Sequence, residues 1–544
     1  MEKEYTVIAN TREDLVALEA ELIHEHGEGY IPCRCVHIAN PRPGSKIQTH
    51  FMLTDAEAEE LRNDPRVRAV EIPPDQRDDI SIGLHAYQND SASNVFYRGS
   101  GLTGTYINWG LRRCISETNN FQSGGIRSTT ATGTGYEYAL DGKGVDVVIQ
   151  DSGIDPNHID WNDAEGNSRL QQIDWYTASG LPGTQSAFHY RDLDGHGSHC
   201  ASIAAGLRYG HAKGAHIYSQ KLAGLETLSG SDGTGISITD AFDCIRLWHN
   251  AKTNGRPTVV NMSWGYGANV TGDPTNGTYR GMAWTYGVDY TSRSQLQAAT
   301  GVSQNYFNGG TSHRIPVRVT SVDAEIEDMI TDGIHVCIAA GNNLHKVDLS
   351  TGPDYDNSVT FSGTSRFYHR GSSPYSDRAF MVGNVDSGFQ NSIGLTDNTN
   401  LLDQTSVSST RGPGVNIWAP GTDITAATSS TYDTGAYSVT NYPGTSGGQY
   451  PIMSISGTSM ASPQVCGVVA CHLQSKPTLT PEEMQARIFA DSKPVLFTTG
   501  SSTDYDRIYD SIIGSPNRML YSRYGQGQPY SLANISGLTG LTTG

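Results

Sequence analysis

Residues Glu4 to Ala9 follow the two-residue period of a strand, and Thr11 with Asp14 then gives a helix-start signal ahead of Leu15, Leu18 and Leu22, which share one helical face. Ile31 to Ala39 and Ile47 to Leu53 read as two further strands around the turn Asn40-Pro41-Arg42-Pro43-Gly44. Thr54 and Glu57 make a capping box for a second helix, Asp64-Pro65 stops it, and Val67 to Ile72 supplies a fourth strand. The order βαββαβ is the split pattern in which two helices cover one face of a four-stranded antiparallel sheet. It predicts a small ferredoxin-like α+β domain over residues 1–77, a fold that serves many unrelated functions.

From Pro73-Pro74-Asp75 to about Ile107 the apolar period fades while Gly, Ser, Asn and Asp accumulate, so residues 78–107 read as a linker or arm. Beyond it the pattern is that of an α/β chain. Val145 to Ile149 is a β-rich run that ends at Gln150-Asp151-Ser152-Gly153, which places Asp151 at a strand's carboxyl end. Open parallel sheets hold their ligands at that edge. Asp194 to His199 opens a small-residue helix over Cys200 to Gly206, with His196 at its start. Ser456 to Pro463 leads into a helix over Val465 to Leu473, so the Ser459 N–H falls among the unpaired donors of a helix N-terminus. The main domain is expected over residues 108–525, with a Gly-, Tyr-, Asn- and Thr-rich insertion at about 266–320 and a polar tail at 526–544.

Charge narrows the partners. The 56 acidic against 37 basic side chains give a net charge of -19, which opposes unaided binding to nucleic acid or an anionic membrane. Met1-Glu2-Lys3-Glu4-Tyr5 lacks the basic-then-apolar pattern of a secretion signal, and no apolar run is long enough to cross a bilayer, so the expected setting is intracellular or virion-associated. Most of the eight cysteines sit inside apolar patterns and read as free buried thiols. Cys33 and Cys35, one residue apart on an expected strand, make a poor zinc site without a second ligand pair.

Alone, an Asp, a His or a Ser at these positions is a cap or turn residue. Together, in the chain order Asp151, His196, Ser459, they have the chemistry of a nucleophile, a base and the carboxylate that orients it. Asp151-Ser152-Gly153-Ile154, His196-Gly197-Ser198-His199-Cys200-Ala201 and Gly457-Thr458-Ser459-Met460-Ala461-Ser462-Pro463 resemble the three signature blocks of the subtilisin-like serine peptidases, the subtilase family. Cys200 is similar to the free thiol beneath the histidine in the proteinase K branch, which implies inhibition by mercurials. Ala339-Ala340-Gly341-Asn342, Val259 to Gly265, Arg411 to Gly421 and Trp109-Gly110-Leu111 resemble further blocks, so the likeness runs from about Trp109 to Asp491.

The resemblance implies a three-layer α/β domain with a mostly parallel sheet and a serine endopeptidase acting on extended polypeptides. It implies Ser459 as nucleophile, His196 as general base and then acid, and Asp151 fixing the imidazole. The Ser459 N–H and the Asn342 amide would form the oxyanion hole, and Ser263-Trp264-Gly265 would pair with substrate main chain. Tyr266 stands where a second glycine is common, and Trp264 is bulkier than the usual residue, which predicts a narrowed pocket. The N-terminal unit matches an inhibitory, folding-assisting propeptide, and the arm over Asp79 to Tyr106 is expected to cross or abut the active site. No cofactor is required. Asp160, Asp163, Asp192 and Asp194 are candidate calcium ligands without an EF-hand pattern. The competing reading is a catalytically silent subtilase-fold component of a larger assembly, such as a virus particle.

Overall fold

The computed structural model describes residues 2–24, 30–31, 34–84, 109–118, 138–163, 165–225, 234–302, 312–386, 403–406, 408–431, 439–442, 445–496 and 512–523. The chain begins with β1 (Lys3–Ala9), α1 (Arg12–Leu22), β2 (Ile38–Asn40), β3 (Gln48–Leu53), α2 (Asp55–Arg62) and β4 (Val67–Glu71). These strands form an antiparallel sheet in the order β2-β3-β1-β4. The helix starts follow the sequence signals: the Asp14 N–H donates to Thr11 Oγ1 at 3.1 Å, and Thr54 with Glu57 completes a capping box. Leu15, Leu18 and Leu22 bury against Val7, Phe51 and Leu53.

The strand expected over Ile31 to Ala39 is reduced to Ile38–Asn40. The preceding backbone bonds elsewhere: the Tyr30 and Val36 N–H groups donate to the Glu21 and Leu22 carbonyls, which the end of α1 leaves open. Cys35 is therefore exposed and off any strand, and Cys33 lies outside the described residues.

The chain continues through β5 (Ser81–Leu84), α3 (Trp109–Cys114), β6 (Asp146–Asp151), β7 (Leu170–Gln171), α4 (Trp175–Ser179), α5 (His196–Ala205), β8 (His216–Lys221) and α6 (Ile238–Ala251). Next come β9 (Thr258–Met262), β10 (Trp264–Thr271), β11 (Asn276–Tyr279), β12 (Met282–Thr285), α7 (Arg293–Thr300), β13 (Ser312–Pro316), α8 (Thr320–Thr331) and β14 (His335–Ala339). The last are β15 (Ser358–Phe361), β16 (Thr364–Phe367), β17 (Phe380–Asp386), β18 (Gln404–Thr405), β19 (Ile417–Pro420), β20 (Ile424–Ala427), β21 (Val439–Asn441), β22 (Pro451–Ile455), α9 (Thr458–Ser475) and α10 (Pro481–Asp491).

An eight-stranded sheet in the order β18-β17-β14-β9-β6-β8-β7, with β19 also on β17, is parallel except at β17–β18. Side chains of β6 alternate between its faces, Val147 and Ile149 packing with α5 and α9, and Val148 with α6 and α8. The result is the three-layer helix–sheet–helix arrangement, around a mostly parallel sheet, expected for the main domain. Among the described residues no helix is long and apolar enough to cross a membrane.

Two features position the site. In the insertion, β10 runs past Gly265 and returns as β13, while β11 and β12 join β15 and β16 in a separate sheet with its own small core around Trp284, Leu296 and Phe361. The N-terminal unit sits on α6 and α8: Arg42 pairs with Asp243 at 3.0 Å and Glu325 at 2.7 Å, and Lys46 pairs with Asp332 at 2.6 Å. Helix α8 has no capping side chain at Val319, and the Ser321 N–H instead donates to Glu71 Oε1 at 2.6 Å.

Candidate active site

Parallel strands deliver the site residues to one edge. Asp151 is the last residue of β6, Ser263 lies between β9 and β10, and Asn342 follows β14. His196 is the first residue of α5 and Ser459 the second of α9. His196 Nδ1 lies 2.8 Å from Asp151 Oδ1. The close packing behind this pair demands glycine: a Cβ on Gly197 would stand 2.1 Å from the Gly153 carbonyl oxygen. Asp192 braces the same turn, accepting from the Gly195 and Ser198 N–H groups and from the Ser152 and Ser198 hydroxyls.

Helix α9 starts earlier than the sequence signals indicate, at Thr458, and runs through Pro463. A proline lacks the N–H that would reach back four residues, here to the Ser459 carbonyl. That carbonyl accepts instead from Ser263 Oγ at 3.0 Å and from the Cys200 thiol at 3.4 Å. The break in the helical ladder thus ties the Ser459 backbone to the β9–β10 junction and to the helix of His196.

The hydroxyl itself is parked. Ser459 Oγ donates to the Ser263 carbonyl at 2.9 Å, and His196 Nε2, which is buried, makes no hydrogen bond among the described residues. The structure therefore joins Asp151 to His196 and sets Ser459 beside the same Cys200 thiol, with no serine–histidine bond among the described residues. Asp151, His196 and Ser459 are all buried. Burial lowers the pKa of His196, but the charge of Asp151 and its hydrogen bond outweigh it, so the imidazole is held well above its ordinary 6.5. Burial raises the Cys200 thiol, which keeps it neutral beside the imidazole.

Asn342 is oriented by a residue the sequence reading left without a role. The Thr458 N–H and hydroxyl donate to Asn342 Oδ1 at 3.0 and 3.2 Å, and the hydroxyl also accepts from the Gly341 N–H at 3.1 Å. With Oδ1 fixed on that side, the amide nitrogen is directed away from it. The signal is the Gly-Thr-Ser order at 457–459, which places a second hydroxyl beside Ser459.

The arm reaches this site. Strand β5 pairs antiparallel with β10, Leu84 opposite Trp264, Gly83 opposite Gly265 and Ile82 opposite Tyr266. Of the arm expected over Asp79 to Tyr106, the stretch to Leu84 lies against Trp264 to Gly267, and residues 85–106 lie outside the described residues. Trp264 and Tyr266 are buried in a core cluster with Phe242, against which Ile82 packs, so their bulk forms the floor under the arm. Gln150 turns away from Asp151, donating across the sheet to Gln220 at 2.9 Å.

Among the described residues the candidate calcium ligands do not gather into one group. Asp192 and Asp160 are engaged by N–H and O–H donors, Asp160 by Ser202, Tyr442 and the Arg208 N–H, and Asp163 is turned to its own loop. Among the described residues the one group of three candidate metal ligands is Asp151, His196 and Cys200.

The family model described as "Peptidase S8, subtilase family" matches residues 142–514. Subtilisin-like serine protease Cur l 4.0101 of Cochliobolus lunatus is 25% identical over 397 residues, 70% of this chain and 54% of its own length. Subtilisin-like protease 8 of Arthroderma otae is 26% identical over 430 residues, 75% of this chain and 63% of its own. The chain thus spans less than two thirds of these relatives. Among solved structures, fervidolysin from Fervidobacterium pennivorans, described as a keratinolytic enzyme related to subtilisin, aligns over 97% of this chain and 61% of its own with 16% identity and a TM-score of 0.48.

Proposed function

This chain belongs to the subtilase family of serine peptidases, and from that premise we propose that it is an endopeptidase that cuts extended polypeptide segments, held latent by its own N-terminal unit and arm. The observation that carries the reading is the meeting of β6, α5 and α9, where the Asp151–His196 pair faces the serine at the start of α9. Ser459 would rotate from the Ser263 carbonyl to His196 Nε2 and attack the scissile carbonyl as His196 takes its proton. His196 would then protonate the leaving amine, and water would release the acyl group by the reverse path. Asp151 would hold the Nδ1–H tautomer throughout and stabilise the imidazolium. The oxyanion would be met by the Ser459 N–H at the α9 N-terminus and by the Asn342 amide.

The β5–β10 pairing supports both parts of the proposal. An extended peptide added to the edge of β10 is how a substrate would be held by its main chain, and here the chain's own segment occupies that edge. The test is intact-mass measurement of the full chain with and without a fluorophosphonate probe. A single adduct that disappears in Ser459→Ala is expected, slow to form while the arm is docked. Protein that remains unmodified both as the full chain and after the N-terminal unit is removed by limited proteolysis would sink the endopeptidase reading and favour a silent component of an assembly.

A further inference from the structure

Strand β10 carries Gly265 and Gly267 on the face opposite Trp264 and Tyr266. An arginine covers the space their missing side chains leave. Arg314 stands in β13 opposite Asn269, and its side chain lies back along β10. A Cβ on Gly267 would be 2.6 Å from Arg314 Nε and 2.9 Å from its Cγ. Its Nη2 donates to the Gly265 carbonyl at 3.2 Å.

Register then says what meets the guanidinium. Tyr266 directs its N–H to the Ser373 carbonyl and its carbonyl to the Val317 N–H, away from β5. By alternation the main-chain groups of Gly265 and Gly267 face β5, where Gly83 and Ser81 are their partners. Directly paired residues of antiparallel strands project on the same face. A side chain at the register position of Gly83 therefore stands beside Arg314, and the arm places a glycine there.

Arg318, four residues further on, meets the Asp323 carboxylate at 2.7 Å, whereas Arg314, like the buried Arg169, forms no ion pair among the described residues, and burial alone lowers its pKa. Close by, Arg366 of β16 already reads an acid of the arm, lying 3.5 Å from the Asp79 carboxylate and donating to the Asp79 carbonyl. A net charge of -19 gives an acidic peptide no long-range attraction, so selectivity for one must come from such a local contact.

We propose that Arg314 is a specificity-determining residue of the peptide groove, selecting segments that carry aspartate or glutamate at the residue paired with Gly265. The inference rests on β10 being the strand that pairs with substrate. It gives the 266–320 insertion a task, since β13 exists to hold this guanidinium against the groove. A planar fork anchored on the Gly265 carbonyl keeps N–H groups for a carboxylate, which a lysine in its place would not position.

The arm provides a test that does not need turnover. In full-length protein carrying Ser459→Ala, Gly83→Glu is compared with Gly83→Gln by hydrogen exchange over residues 80–84, with Arg314 intact and in Arg314→Gln. Exchange in the glutamate variant should be slower by about tenfold, the scale of one charge-assisted hydrogen bond. That difference should vanish in Arg314→Gln. Equal exchange for Glu and Gln, or a difference that survives Arg314→Gln, overturns the proposal. In the catalytically intact chain, the kcat/KM ratio for peptides with Glu against Gln at that residue should fall to about one in Arg314→Gln. An Arg314-dependent exchange difference without peptide cleavage would refute hydrolysis and leave the subsite standing; cleavage with no Glu–Gln difference in either assay would do the reverse.

Discussion

Between α5 and α9 the contact is made by small apolar groups, whereas between the N-terminal unit and helices α6 and α8 it is made by charges. On the first side, Gly467 approaches so closely that a Cβ would lie 2.5 Å from the Ala204 carbonyl, and Ala201, Ala204, Val465 and Val468 are fully buried around it. On the second, Arg42 and Arg246 are set among Asp243, Glu325, Asp328 and Asp332. A dry interface of methyl groups cannot be opened to water without exposing apolar surface. Paired charges lose little net free energy on separation, because hydration replaces the partner. The helices that carry His196 and Ser459 are thus fixed, while the N-terminal unit is attached by contacts suited to release.

The sharpest way to separate the two regions is a pair of substitutions that each affect one. Ser459→Ala should lower peptide hydrolysis by about 10⁴- to 10⁶-fold while leaving the thermal midpoint and the exchange of the N-terminal unit unchanged. A residual rate within tenfold of the parent in a turnover assay would remove Ser459 from the chemistry. Arg42→Ala should act the other way. It strands Asp243 and Glu325 without that guanidinium, a loss of about 3–5 kcal/mol at the interface for a broken buried pair. The N-terminal unit should then be released by limited proteolysis, and the fluorophosphonate should label Ser459 faster than in the parent. Unchanged labelling would mean that docking of the unit does not control access.

Much of this division is legible in the sequence, and the exceptions share a cause. Asp151 at a strand end and His196 at a helix start follow from local period and glycine placement, as do the βαββαβ order and its two capping signals. Helix α9 starts at Thr458, ahead of the Val465 to Leu473 run that predicts it, and only contacts from Ser263 and Cys200, distant in sequence, show how it passes through Pro463. The strand at Ile31 to Ala39 is shortened for a similar reason, since the end of α1 captures the Val36 N–H and the Arg34 N–H turns back to Ile31. Neither the parked hydroxyl of Ser459 nor the reach of Arg314 to Gly265 has a local signal, because each depends on where another segment ends.

A smaller effect is expected from tightening the apolar side. Gly467→Ala must push α9 away from the Ala204 carbonyl, which costs about 1–3 kcal/mol as overpacking and lowers the thermal midpoint. Because His196 and Ser459 ride on the two separated helices, kcat should fall further than global stability alone accounts for. A variant with a lowered midpoint and parental kcat at a permissive temperature would show that the α5–α9 distance does not set the site.

The smallest effect is a pH dependence confined to the charged side. Burial first, then the neighbouring Asp243 and Asp328, raises Glu325 from 4.5 to about 7 against the pull of Arg42 and Arg246. The docked state therefore binds a proton that an undocked, hydrated Glu325 does not bind between those values, so docking is favoured as pH falls from 7 to 4.5 and that gain is lost as pH rises through 7. Glu71 and Asp328, also raised by burial, act in the same sense. His50, lowered by burial and by Arg42, acts in the opposite sense below 6.5. One proton limits the slope to about tenfold per pH unit. Hydrogen exchange of β4 and α8, corrected for intrinsic rates, should show docking several-fold weaker at pH 7.5 than at pH 5.5. In Glu325→Gln the slope should flatten or turn over as His50 is left to dominate. The same slope in that variant would assign the pH dependence to another group and leave the charged interface as a static clamp.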